Sequence, residues 1–75
     1  MSPLGWPGAV RYEFHVRGRI SDTAAASFPE LTVAPGATGG TVLYGPVEDD
    51  AHLHGLLDRF RTLGLTVVEM RRLPD

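Results

Sequence analysis

The strongest constraint on this chain is an apolar stripe near its C-terminal end. Leu53, Leu56, Leu57, Phe60 and Leu63 recur at spacings that put them on one side of an α-helix. Glu48, Asp49 and Asp50 gather negative charge where a helix starts, which the peptide dipoles favour. Gly64 can take the left-handed conformation that ends a helix, and Leu65 can fold back onto the last turn. A helix from about Asp50 to Leu63 follows, and it must bury its stripe against something.

The partner is legible upstream. Val10, Tyr12, Phe14 and Val16 alternate with Arg11, Glu13, His15 and Arg17, and the pattern continues to Ile20. Period two, with branched and aromatic residues on one side, marks a half-buried strand with a charged reverse face. Ser21 or Asp22 can cap a short helix over Thr23 to Phe28, which Pro29 stops. Leu31 to Ala34 reads as a short strand with Leu31 and Val33 on one side. PGATGG (35–40) is turn chemistry, and Thr41 to Val47 is the next strand, where Gly45 signals a bulge or a close backbone approach. Thr66 to Leu73 closes the pattern, with Val68 and Met70 expected to face the helices and Val67, Glu69 and Arg71 the reverse.

Strand, short helix, strand, strand, long helix, strand is the order of two interlocked split βαβ units. The expected fold is therefore α+β and ferredoxin-like: a four-stranded antiparallel βαββαβ sheet in the order 4-1-3-2, with two helices on one face. Residues 1–9, with two prolines and two glycines, read as a flexible N-terminal tail, and residues 10–75 as a single domain. Trp6 is the one aromatic side chain of that tail, available to dock on the domain or on a neighbouring subunit.

Composition then excludes several classes of function. No cysteine is present, so disulfides, thiolate metal sites and a cysteine nucleophile are ruled out. A net charge of −2 provides no general pull toward nucleic acid or anionic lipid. No apolar run approaches a membrane span, and Met1 to Gly8 lack the features of a signal peptide, so the expected location is cytoplasmic. A domain of 75 residues buries a marginal core, and without disulfides self-association is a common remedy.

RYEFHVRGRIS and TVLYGPVEDDAHLHGLLDRFRTLGLTVVEMRR together resemble a family of short uncharacterised bacterial proteins. The matching positions are Tyr12, Phe14, Val16, Gly18, Thr41, Leu43, Gly45, Leu53, Gly55, Leu56 and the Leu63-Gly64-Leu65 turn. The resemblance spans about residues 11–72 and rests mostly on core and turn positions, so it implies a fold and no activity. The element order is also similar to that of ligand-binding ACT domains, in topology only.

The side chains able to carry chemistry are few. His52 and His54 lie two apart on the long helix and so diverge; His54 with Asp58 is the better-spaced pair, and its ordinary reading is a surface histidine beside a carboxylate. GATGG lacks the Lys-Ser/Thr of a phosphate loop and does not open a helix. Exposed aromatics for RNA reduce to Tyr44. What remains is the charged sheet face, where His15, Arg17, Tyr44 and Arg71 are the candidate ligand-binding residues for a small anion. Gly55 and His54 on the outward side of the long helix, with Trp6, are the candidate interface. No catalytic set, metal or cofactor is implied. The leading expectation is a non-enzymatic, homo-oligomeric binding module, and the alternative is a site for an anionic metabolite, regulatory or weakly catalytic, on the open sheet.

Overall fold

The apolar stripe forms its helix, and the elements around it can now be given their bounds. The computed structural model describes residues 9–37 and 39–74, so Trp6 and the expected tail up to Gly8 lie outside the described residues. The elements in order are β1 (Val10–Val16), α1 (Asp22–Ala26), β2 (Thr32–Pro35), β3 (Thr41–Val47), α2 (Asp50–Thr62) and β4 (Val67–Arg72).

Both ends of α2 have a physical cause. Asp49 is the N-cap, its side chain accepting the His52 backbone N–H at 2.8 Å. At the other end Gly64 adopts φ +74°, Leu65 N–H donates to Phe60 O at 2.9 Å and Gly64 N–H to Arg61 O at 3.0 Å. This pair of bonds is a Schellman cap, and it satisfies carbonyls the helix would otherwise leave open. The shorter α1 is capped by Ser21, whose Oγ accepts from Ala24 N–H at 3.1 Å. It stops two residues before the expected Phe28, because Ser27 and Phe28 already bond three residues back in a tightened last turn ahead of Pro29.

The sheet is antiparallel throughout, in the order β2-β3-β1-β4; counted from the β4 edge, the same sheet reads 4-1-3-2. Phe14, Val16, Leu43 and Val47 are buried on one face together with Phe28 from beyond α1 and Leu53, Leu56 and Phe60 of α2. Helix α2 and the segment that follows α1 therefore cover the same face. The Phe60 ring lies 5.2 Å from Phe14 and 4.5 Å from Phe28, centroid to centroid. Burying each such aromatic or leucine contributes roughly 1.5–3 kcal/mol.

Three strand expectations are corrected. The first strand does not continue to Ile20: it ends at Val16, because Gly18 turns the chain with φ +75° and its carbonyl accepts the Thr41 hydroxyl at 2.7 Å. In the second, Leu31 is buried but precedes β2, while Val33 is 39% exposed. In the last, a bulge opposite His15/Val16 shifts the β1–β4 register by one residue. Val67, expected on the reverse, therefore packs against the core. Val68 and Met70, expected under the helices, are 55% and 42% exposed, although Met70 sits opposite the buried Phe14.

Two glycines differ in what surrounds them. A Cβ on Gly45 would lie 2.7 Å from the Glu30 carbonyl oxygen, which explains the glycine as a close approach between β3 and the α1–β2 connection. A Cβ on Gly55 would meet nothing within 4 Å. Gly45→Ala should therefore cost about 1–3 kcal/mol through overpacking, and Gly55→Ala should gain up to about 1 kcal/mol of helix stability. Thermal melts of the two variants check the opposite signs.

Candidate functional site

The face away from the helices is built by the register of the three long strands. Thr32, Tyr44, Glu13 and Arg71 form one row across the sheet, and Ala34, Val42, His15 and Glu69 form the next. Side chains directly opposite one another in an antiparallel sheet lie on the same face, so these rows are contact pairs. His15 and Glu13, two apart on β1, are joined by a 2.7 Å contact between Nε2 and Oε1. Arg71 Nη1 approaches the same Glu13 oxygen at 4.0 Å.

Next to this face, a cleft of about 540 Å³ lies between the end of β1 and the hairpin that joins β2 to β3. His15, Arg17, Val42, Val68 and Glu69 are among its walls. The four candidate ligand residues therefore divide: His15 and Arg17 share the cleft, while Tyr44 and Arg71 belong to the neighbouring row. Arg17 lies beyond the end of β1, not on it, and its backbone N–H donates to Thr66 O at 3.0 Å. Electrostatically the surroundings of His15 are mixed, since Glu13 bonds its ring and Glu69 is its cross-strand neighbour. A small anion in this cleft is attracted by Arg17 and opposed by two carboxylates.

The helix-side candidates separate as well. His54 faces back to Asp50 at 3.7 Å, not forward to Asp58, which pairs with Arg61 at 2.6 Å. Helix side chains lean toward the N-terminus, so the preceding turn is the one within reach. Both pairs are exposed, and exposed pairs of this kind contribute only about 0.2–1 kcal/mol. Gly55 is exposed beside them. Among the described residues no group of three or more His, Cys, Asp and Glu gathers as a metal site, and no helix is long and apolar enough to cross a membrane.

One polar cluster was not legible as such. Glu30, directly after Pro29, accepts from His52 Nε2 at 3.1 Å and from Arg59 Nη1 at 3.2 Å. Arg59 also donates to Ser27 O at 2.8 Å and lies 5.4 Å over the Phe28 ring. The backbone N–H of Glu48 donates to His52 Nδ1 at 3.0 Å, which requires that nitrogen to be unprotonated. The proton therefore sits on Nε2, directed at Glu30. His52 and Arg59 are seven residues apart, two turns of one helix face, and that spacing was the available signal. Only the fold brings Glu30 to them.

This cluster clamps the α1–β2 connection to α2. Burial raises the Glu30 pKa, but hydrogen bonds from its own backbone N–H and from His52, with the charge of Arg59, outweigh it and hold the carboxyl below its ordinary 4.5. A lowered native pKa adds stability above the ordinary value, and that contribution drains away as pH falls through the native one. Glu30→Gln should thus lower the melting temperature at pH 7 and have a smaller effect at pH 3, measured as paired thermal melts.

The comparisons with known proteins yield one family. The chain belongs to the family described as Domain of unknown function (DUF8691), whose model matches residues 11–71, from the second residue of β1 to the penultimate residue of β4. No curated protein and no solved structure matches it.

Proposed function

We propose that this member of the unknown-function family is a non-enzymatic binding module that works as a homo-oligomer, on a ferredoxin-like βαββαβ scaffold. The scaffold reading draws on the antiparallel order β2-β3-β1-β4 and on α2 and the segment after α1 covering one face. A cytoplasmic setting belongs to the same proposal.

The observation that carries self-association is the exposure of β4. It is an edge strand, and its Val68 and Met70 are more exposed than the other large apolar side chains of the described residues, Val33 and Leu63 coming next. An exposed edge strand with apolar side chains is a template for another strand. The opposite edge is less suited, since β2 has four residues and ends in Pro35. Light scattering or sedimentation at high micromolar concentration should give the mass of a dimer or a larger assembly. A strictly monomeric mass removes the proposal.

A second reading, a site for a small anionic metabolite, rests on the cleft that joins His15 and Arg17. In that reading Arg17 supplies the charge and His15 a ring donor, with Tyr44 and Arg71 completing the polar face. Inorganic phosphate or a dicarboxylate should then raise the melting temperature of the wild type and leave Arg17→Ala unmoved. No shift in either protein ends this reading.

A further inference from the structure

The backbone of β4 points its hydrogen-bonding groups in two directions, and this determines how a second strand can join. Leu73 N–H donates to Arg11 O at 2.7 Å. The register then pairs Glu13 with Arg71 and His15 with Glu69. In an antiparallel ladder alternate residues bond the same neighbour, so Glu69, Arg71 and Leu73 turn their N–H and C=O groups toward β1. Met70 and Arg72, between them, turn theirs to the free edge.

We infer that β4 pairs antiparallel with β4 of a second copy of this chain, about a two-fold axis through Met70, making one continuous eight-stranded sheet. The inference rests on the self-association proposed above and specifies its partner surface and register. Outward-pointing residues must pair with outward-pointing residues, which leaves only registers that differ by two residues. Centring the axis on Glu69 sets Glu69 against its own copy, and centring it on Arg71 sets two arginines together. Centring it on Met70 sets Glu69 opposite Arg71 of the second copy, twice by symmetry. Opposite charges on facing strands attract and like charges repel, so charge selects this register.

The side chains agree on both faces. Glu69 and Arg71 lie on the open face, where Arg71 is 4.0 Å from Glu13 and has room for a second carboxylate. Met70 lies on the helix side, opposite Phe14 in its own sheet, and meets Met70 of the second copy. A flexible thioether suits such a self-contact. An edge bearing charges of one sign would resist pairing; this one alternates.

Charge reversal tests the register in the intact chain. Glu69→Arg alone sets arginines against arginines, and Arg71→Glu alone sets carboxylates against carboxylates. Each variant should dimerise at least roughly tenfold more weakly than the wild type, and an equimolar mixture should recover the dimer in sedimentation. The intrachain effects of each substitution are identical alone and mixed, so recovery reports the interface alone. If the wild type is dimeric but both variants stay dimeric alone, or the mixture stays monomeric, the register is wrong while self-association stands. A monomeric wild type overturns both. Should either variant fail to fold, Met70→Cys decides, because the chain has no other cysteine. Hydrogen-bonded antiparallel pairs hold their Cα atoms about 5.5 Å apart, within disulfide reach. Mild oxidation should link Met70→Cys dimers much faster than Thr32→Cys on the β2 edge; equal rates overturn the register.

Discussion

The contact on which the rest of this structure depends is the aromatic stack of Phe60 between Phe14 and Phe28. Phe14 belongs to the central strand, Phe60 to the long helix and Phe28 to the segment that follows the short helix. One ring therefore ties three separate parts of the chain, and all three side chains are buried. Offset aromatic pairs add about 0.5–1.5 kcal/mol beyond the area they bury. In a domain this small, that is a large share of the net stability. The short α1 has little intrinsic stability at five residues, so its placement depends on Phe28 reaching this stack.

The polar clamp of Glu30, His52 and Arg59 works beside the same stack. Arg59 lies over the Phe28 ring and holds the Ser27 carbonyl, so the guanidinium and the aromatic face secure one segment from two sides. Glu30 is then held where its carbonyl crosses Gly45. Core, clamp and close approach all converge on residues 27–31. The opposite side of the molecule is built differently. There the sheet face carries single cross-strand pairs, and the β4 edge is left without apolar cover. Stability is concentrated on one side, and the surface open to partners lies on the other.

The fold was legible wherever a local signal had one physical solution. The stripe at Leu53 to Leu63, the acidic cap and Gly64 allowed only a helix, and α2 has those ends. The alternation of Val10 to Val16 allowed only a half-buried strand. Legibility failed where local pattern and long-range pairing compete. The alternation past Val16 looked continuous, yet Gly18 turned the chain once Thr41 offered its hydroxyl to the Gly18 carbonyl. In β4 the expected facing holds for Glu69, Met70 and Arg71 but is exchanged for Val67 and Val68, since a bulge depends on the partner strand and leaves no mark of its own. The candidate site divided for the same reason. His15 and Arg17 came together, Tyr44 and Arg71 fell in the next row, and Glu30 joined His52 from 22 residues away.

By itself, the sequence determined the kinds of element, their order and the face that β1, β3 and α2 bury, because periodicity, capping and turn chemistry act over a few residues. It also determined that the chain has no cysteine chemistry and no strong net charge to direct it to nucleic acid. Only the tertiary structure decided which charges meet, where the helices leave the sheet uncovered, and which backbone groups of β4 face outward. Those are properties of register, and register is set by pairing between residues far apart in the chain. A shift of one position in β4 exchanges Val67 for Val68 as the packed side chain, and no local feature of the sequence reports that shift.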